Sequence, residues 1–440
     1  MNMRKIAVIG TGYVGLVTGT CLASLGHEVT CVDIDEKRIS TLQDGTCPIH
    51  EPGLSSLMQS NLNEKRLQFT SDLRKAVQHA EAIFIAVGTP ENKDGSADLS
   101  YVKTAVKDLS LYINDETIVV IKSTVPPGTN DKVRSWMHFH AGRRFRVVTN
   151  PEFLREGSAI HDFFYGDRIV IGSKETEAAQ FLEDLYSSIK TPRLHTDPLS
   201  AEMIKYSSNA FLAAKISFIN EISSICEELG ADIEQVAQGM GMDRRIGEQF
   251  LRAGIGFGGS CFPKDTKALV QVAKETGHSF KLLSTVMDVN ERQKNLLIEK
   301  ALKRYGSLKG KTVAVLGLSF KPNTDDIRES PALSITQRLQ ELGAVPIAYD
   351  PVVRSIPFCP VVDSIQEVLT GADFAMICTE WPSISDLPLE VYENTMKEAV
   401  IFDGRNCYTR KDLEGRNIEY HSVGRSSYKG TRSNKPSSRL

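Results

Sequence analysis

The sequence predicts an α/β protein with two doubly wound, Rossmann-like domains joined by a long central helix and a helical middle section. Three observations carry this. Over the first 200 residues, short β-branched runs alternate with amphipathic stretches. From Ser200 to Leu229 no Gly or Pro interrupts the chain, and at Lys311 a second strand–turn–helix alternation opens. Strands that alternate with helices read as βαβ units of a parallel sheet.

In the first section the expected strands are Lys5–Ile9, Glu28–Val32, Ala82–Val87, Thr117–Ile121 and Arg146–Thr149. Helical patterns lie between them, at Tyr13–Leu25 and Tyr101–Tyr112. Past Ser200, apolar residues recur at Ile204, Phe211, Ile219, Ile222 and Ile225, the pattern of one long helix stopped by Gly230. Such a helix makes a spine between domains and offers a dimer face. Mixed helical text continues to about residue 300. Later strands are expected at Thr312–Leu316, Val345–Tyr349, Phe374–Cys378 and Ala399–Phe402.

The expected division is a domain over 1–199, a helical section over 200–300 and a second α/β domain over 301–423. Residues 424–440 read as a disordered basic tail, because Arg425, Lys429, Arg432, Lys435 and Arg439 stand among serines with almost nothing apolar. The tail either docks an acidic partner and takes phosphate on Tyr428 or its serines, or is a solvated end without a role.

Composition excludes several classes. With 41% hydrophobic and 24% charged residues over 440 positions, the chain is globular rather than disordered. A net charge of -3 leaves no basic field for nucleic acid or an anionic membrane. No apolar run reaches the ~18 residues of a membrane span. The run after the basic Met1–Lys5 start ends at Gly10, too short for a signal h-region. The eight cysteines form no CxxC and no zinc spacing with His, so no metal is expected. Reduced cysteines and a cytoplasmic location follow.

Two motifs carry chemistry. Gly10-Thr11-Gly12-Tyr13-Val14-Gly15 follows the first strand and opens the first helix. Gly10 permits the tight turn, Gly12 lets backbone approach a pyrophosphate, and Gly15 allows close helix–strand packing. The helix N-terminus offers N–H donors to phosphate. Asp33, 23 positions after Gly10, sits where a carboxylate bonds ribose hydroxyls and repels a 2′-phosphate, which favours NAD over NADP. Arg38 faces either the adenosine or solvent. The second motif, Gly254-Ile-Gly-Phe-Gly-Gly-Ser-Cys261-Phe-Pro-Lys264-Asp265, has four glycines in six residues, a backbone able to wrap an anionic or hydroxylated ligand. Cys261 is then a nucleophile, since a nearby ammonium raises a thiol's thiolate fraction; the alternative is a buried structural cysteine.

With these blocks in view, the sequence resembles the UDP-glucose/GDP-mannose dehydrogenase family from Arg4 to about Asn406. Further shared blocks are Lys122-Ser-Thr-Val-Pro-Pro-Gly128, Asn150-Pro-Glu-Phe-Leu-Arg-Glu156-Gly, Lys205-Tyr-Ser-Ser-Asn209 and Phe320-Lys321-Pro. The resemblance implies a four-electron, NAD-dependent oxidation of a nucleotide-sugar C6 alcohol through a Cys261 thiohemiacetal and thioester. It implies that Lys205 and Asn209, four apart on one helix face, stabilise the oxyanion. Glu156 is implied as general base, Glu152 as a helper through water, Asp265 as support for the cysteine and Thr124 as the group ordering the water. For the cofactor it implies Gly10, Gly12, Tyr13, Val14, Gly15, Asp33, Arg38, Thr89, Thr124, Glu156, Lys264 and Arg328. For the substrate it adds Phe153, Leu154, Arg245, Arg252, Ile255, Gly256, Phe257, Gly258, Phe320, Lys321 and Arg405 to Glu152, Glu156, Lys205 and Asn209, with Arg405 donated either within the chain or across a homodimer.

The Phe-Gly-Gly-Ser-Cys-Phe-Pro-Lys-Asp run favours UDP-glucose, giving UDP-glucuronate. Sister reactions on GDP-mannose, UDP-N-acetylmannosamine or UDP-N-acetylglucosamine remain open. A silent nucleotide-sugar-binding regulator has no need of Cys261, Lys205, Asn209 and Glu156 together. A two-electron hydroxyacid dehydrogenase leaves the cysteine loop unexplained.

Overall fold

A computed structural model describes residues 3–430. They form two compact units. One runs to Asn209 and takes in Lys264–Ser279; the other holds Ala210–Pro263 and the described chain from Phe280 on.

The first unit is built on eight strands: β1 (Lys5–Ile9), β2 (Glu28–Val32), β3 (Leu67–Thr70), β4 (Ala82–Ile85), β5 (Ile118–Ile121), β6 (Arg146–Thr149), β7 (Ile169–Gly172) and β8 (Arg193–Thr196). Their order is β3-β2-β1-β4-β5-β6-β7-β8. All neighbours are parallel except β6 and β7. Strand order reverses between β1 and β4, and in open parallel sheets ligands bind at such a switch point. Along β1, Ile6 and Val8 enter one apolar core while Ala7 and Ile9 enter another, so both faces are covered. That is why these strands read as unbroken hydrophobic runs.

The second unit repeats the plan with β9 (Thr312–Leu316), β10 (Val345–Tyr349), β11 (Val361–Val362), β12 (Phe374–Ile377), β13 (Val400–Asp403), β14 (Glu419–His421) and β15 (Tyr428–Lys429). The order is β11-β10-β9-β12-β13-β14-β15, again reversing beside the first strand of the unit. Val313 and Val315 face one core, Ala314 and Leu316 the other.

The long helix runs over Pro198–Leu229, 32 residues, or about 48 Å at 1.5 Å per residue. It starts two residues before Ser200, because the Asp197 side chain accepts the Ser200 N–H at 2.9 Å and Pro198 fits the first helical position. Gly230 ends it at φ +76°. The helical section is not a third compact body: the division between units falls at Asn209, inside this helix.

One expectation is corrected. Residues 424–430 of the expected disordered tail are ordered, and the rest of that tail lies outside the described residues. β15 pairs antiparallel with β14, Tyr428 opposite Tyr420. The Gly430 N–H reaches Ile418 O at 2.9 Å, and Gly424 O accepts the Ile233 N–H at 3.1 Å. The Arg425 guanidinium donates to Tyr408 O at 3.1 Å. Main-chain pairing holds a segment whose side chains are too polar to form a core.

Truncation after Val423 therefore removes an edge strand. The lost hydrogen bonds, at about 1 kcal/mol each, should lower the melting temperature by several degrees, read by calorimetry against the full chain.

Candidate functional site

In the first unit, the fingerprint loop sits at the β1–β4 switch point. Gly10 adopts φ +97°, and a Cβ there would lie 2.7 Å from Ala86 O. A Cβ on Gly15 would stand 1.9 Å from Gly10 O, so only glycine lets helix Tyr13–Ser24 pack on the strand. A Cβ on Gly12 would meet nothing within 4 Å. Open space at a helix N-terminus fits a pyrophosphate drawn against the backbone. Asp33, one residue past β2, accepts the Thr11 N–H at 2.7 Å and the Thr11 hydroxyl at 2.8 Å. Burial pushes its carboxyl up, but these bonds with the Asp35 N–H outweigh burial and hold it below the usual range. Asp33 is thus an anion beside the loop. Arg38 is half-buried on helix Glu36–Gln43, its charge acting on Asp33. Val14 packs into the core beside β1.

The same unit gathers buried polar groups. Lys205 Nζ lies 2.8 Å from Glu152 Oε1, with side chains 5% and 3% exposed. One turn on, Asn209 Nδ2 donates to Asp265 Oδ2 at 2.7 Å, while Lys264 Nζ reaches Asp265 Oδ1 at 2.5 Å. The other Glu152 oxygen accepts the Leu154 N–H. Two cations lie over the Phe153 ring, Arg168 at 3.8 Å and Lys205 at 5.4 Å from its centroid. The buried Thr89 hydroxyl donates to Thr124 O at 2.8 Å. Glu156 is half-buried in the loop after β6.

Three residues of this cluster escaped the sequence reading. Lys122 is buried at the end of β5 and donates to Asn150 Oδ1 at 3.0 Å. Burial pulls its amine down to about 8, with Glu152 opposing that fall and Lys205 adding to it. Arg168 donates to Ser208 at 3.2 Å. Glu202 accepts the Gly128 and Asn130 N–H groups at 2.6 and 2.8 Å, capping helix Thr129–Ala141 just beyond Thr124. Burial pushes its carboxyl up to about 7 against those bonds. Glu202 was legible by period, since it stands three before Lys205 and seven before Asn209.

In the second unit, Ile255, Gly256, Phe257 and Gly258 are buried. A Cβ on Gly258 would stand 2.2 Å from Glu329 O, so close packing accounts for that glycine. Three neutral side chains hold the loop. Asn220 accepts the Gly254 N–H at 2.9 Å, Asn290 clamps both polar groups of Phe257, and Gln293 donates to Gly254 O at 2.7 Å. Part of the backbone expected to face a ligand is thus engaged by the protein. Arg405 donates to Cys378 O at 2.8 Å, Phe320 O at 3.3 Å and Gly256 O at 3.5 Å. Arg252 donates to Arg405 O at 2.8 Å, and Lys321 Nζ lies 5.3 Å from the Phe320 centroid.

Cys261 is half-buried, its Sγ 3.7 Å from Ser260 Oγ, immediately before helix Phe262–Glu275. Two expected arginines of this unit are exposed, and one of them meets the glycine loop through its backbone, the Arg328 carbonyl accepting the Gly259 N–H at 2.9 Å. Arg245 is 89% exposed and forked onto Asp243, and Arg328 is 64% exposed on Asp326. Each arginine pairs with the acid two residues before it, a local bond that sequence spacing does not weigh. Phe250 and Glu329 hold positive φ of 65° and 53° beside the loop, the kind of backbone strain concentrated at functional sites.

The comparisons with known proteins agree along the chain. The NAD binding domain of the UDP-glucose/GDP-mannose dehydrogenase family matches residues 4–190, its central domain 199–292 and its UDP binding domain 314–410. The chain is 52% identical to UDP-glucose 6-dehydrogenase YwqF of Bacillus subtilis, over 96% of this chain and 98% of that one. It is 48% identical to TuaD of the same organism, also a UDP-glucose 6-dehydrogenase, over 98% and 95%. Among solved structures, a UDP-glucose dehydrogenase from Pyrobaculum islandicum superposes with a TM-score of 0.90 at 40% identity, covering 97% and 98%. A UDP-D-ManNAc dehydrogenase from Pyrococcus horikoshii gives 0.86 at 30%, covering 96% and 99%.

The Glu202 cap should make stability depend on pH. A folded carboxyl raised to about 7 binds its proton more tightly than the unfolded one, so its contribution is complete below about pH 4.5 and lost as pH rises through 7. Glu202→Gln has no such titration. Its deficit relative to the parent should shrink by on the order of 2–3 kcal/mol between pH 4.5 and 8, measured by denaturant melts across that range.

Proposed function

The chain belongs to the UDP-glucose/GDP-mannose dehydrogenase family, and from that membership we propose that it oxidises the C6 alcohol of UDP-glucose to the carboxylate of UDP-glucuronate. The observation that carries the reading is the buried pairing of Lys205 with Glu152 and of Asn209 with Asp265, two donors one turn apart on a helix face. An ammonium and an amide so held are preorganised for an oxygen that becomes negative.

The fingerprint loop fits NAD: Gly10 and Gly15 permit the tight turn and the close packing, Gly12 leaves the helix N-terminus open, and Asp33 lies beside it. NAD, when bound, accepts a hydride in each of two oxidations. The remaining chemistry belongs to side chains. Lys205 and Asn209 donate to the C6 oxygen as the alcohol loses its proton. The Cys261 sulfur adds to the aldehyde carbon, the C–S bond forming as the thiol proton passes to oxygen. After the second oxidation Cys261 carries the acyl group as a thioester. Glu156 takes a proton from water, the water oxygen bonds the acyl carbon, and the C–S bond breaks to return the thiolate. Glu152 and Thr124 order that water, and Asp265 supports the cysteine. Arg252, Phe320, Lys321 and Arg405 hold the nucleotide sugar, guanidinium and ammonium groups suiting a diphosphate.

The working form is a homodimer. Phe211, Phe218 and Ile225 recur every seven residues on the long helix and are 67%, 52% and 55% exposed, an apolar stripe that a second copy of the same helix would cover. Eight free cysteines suit a cytoplasmic location.

The deciding assay counts NADH per nucleotide sugar consumed. UDP-glucose should give two NADH and a uronate; turnover on another nucleotide sugar with none on UDP-glucose overturns the substrate. Cys261→Ala should lower uronate formation by on the order of 10³-fold or more. Full turnover by that variant excludes the covalent route.

Asp33 sets cofactor choice. The parent should prefer NAD over NADP widely, and Asp33→Ser should narrow the ratio by removing the anion that repels a 2′-phosphate. Initial rates with each cofactor measure this; equal use of NADP by the parent refutes the role.

A further inference from the structure

Glu51 is a buried acid that no step above uses. It is 6% exposed. One oxygen accepts the Ala159 N–H at 2.7 Å, at the start of helix Ala159–Tyr165. The other accepts the Gly157 N–H at 2.6 Å and the hydroxyl proton of Tyr13. The Gly157 N–H also faces Tyr13 Oη at 3.0 Å. Burial and then Glu51 push the Tyr13 phenol far above its ordinary value, so it stays a donor.

These contacts join distant parts of one unit. Tyr13 is the first residue of the dinucleotide helix, behind Gly12. The Gly157 N–H belongs to the peptide that links Glu156 to Gly157, and Gly157 holds φ +81°, a conformation few other residues adopt. The Glu156 charge is felt at the Tyr13 phenol, which places the two side chains in one electrostatic neighbourhood.

We propose that Glu51, with Tyr13, is a positioning residue for the hydrolytic half of the reaction: it grips the Glu156–Gly157 peptide and ties it to the first turn of the cofactor helix. The proposal rests on Glu156 being the base that activates water. A base on an otherwise irregular loop needs such a hold, because a misplacement of about 1 Å can cost roughly 10²-fold in rate. Through the Gly157 and Ala159 N–H groups Glu51 holds the segment that carries the base, so with NAD saturating the step it governs is deacylation.

The test compares four proteins, the parent, Glu156→Gln, Glu51→Gln and Tyr13→Phe, by rapid-mixing NADH kinetics and intact mass after quenching with UDP-glucose present. In Glu51→Gln an amide NH₂ opposes a backbone N–H, so one bond is lost and two donors meet. The expected result is a burst of two NADH per site at the parent's rate, a steady state slowed about 10- to 100-fold, and a uronyl adduct on Cys261. Tyr13→Phe, assayed at saturating NAD because Tyr13 belongs to the cofactor helix, keeps the carboxylate's backbone bonds and should show a smaller accumulation of the same adduct; it carries the test if Glu51→Gln does not fold. If Glu156→Gln accumulates adduct while both other variants show no more than the parent, the positioning role is overturned and the base stands. A burst slowed as much as the steady state, without adduct, also overturns it, since that is general damage. If Glu156→Gln itself accumulates no adduct, the assignment of the base is what fails.

Discussion

Placing an ammonium and a carboxylate together out of water, as Lys205 and Glu152 are, constrains everything around them. Each ion alone would cost several kcal/mol to bury, and the pair is tolerable only if its remaining hydrogen-bond capacity is met. The surroundings meet that condition. The second Glu152 oxygen has the Leu154 N–H, the Lys205 ammonium lies over the Phe153 ring, and the buried Lys122 amine adds positive charge nearby. Because Lys205 sits on the long helix and Glu152 on the loop after β6, the pair fixes that loop against the helix. The Asn209–Asp265 bond repeats the arrangement one turn further on. Satisfying the charges therefore also sets the relative positions of the two donors proposed for the C6 oxygen.

The two sheets use one device for different ends. After β1, Gly10 at φ +97° leads to Thr11, whose N–H and hydroxyl bind Asp33 beyond β2. After β9, Gly317 at φ +89° leads to Leu318 and Ser319, whose N–H groups bind Asp350 beyond β10. The difference lies in what is left over. Asp33 is half-buried, with lone pairs able to meet a ribose. Asp350 is fully buried and also accepts from Val352, Val353 and the Trp381 indole. The second acid is consumed in holding its own loop, so the same topology gives a dinucleotide reading in one unit and none in the other.

This contrast shows what the sequence could and could not reveal. Gly10–Gly15 with Asp33 was legible because local spacing expresses a tight turn at a strand end; spacing put Lys205 and Asn209 on one helix face, but only the family resemblance gave that pair a role. Glu51 was not legible, since its partners lie 38, 106 and 108 residues away and a letter does not tell a buried acid from a solvated one. Lys122 stood inside a quoted block without a role, because only burial reveals it as a depressed amine. β8, with the polar text Arg193–Thr196, and β15 were missed for another reason. Edge strands are fastened by backbone bonds on one side and show little apolar alternation.

The glycine loop over 254–259 is fixed by neutral side chains, which suits the diphosphate-binding role proposed for this region. A loop that must approach a diphosphate needs its own backbone fixed. Carboxylates fixing it would repel the ligand, and cations used for that purpose would have less charge to offer it. Asn220, Asn290 and Gln293 fix it instead, each through neutral bonds to Gly254 or Phe257. Arg405 is the exception. Its guanidinium donates to the Gly256 and Phe320 carbonyls while Glu380 lies 3.4 Å from its Nε. Carbonyl oxygens are weak competitors for a guanidinium when a phosphate arrives, because charge-assisted bonds are roughly twice as strong. Under the proposed role, Arg405 braces the loop through the Gly256 carbonyl with donors that a diphosphate would draw away, and the neutral amides would keep the loop in place.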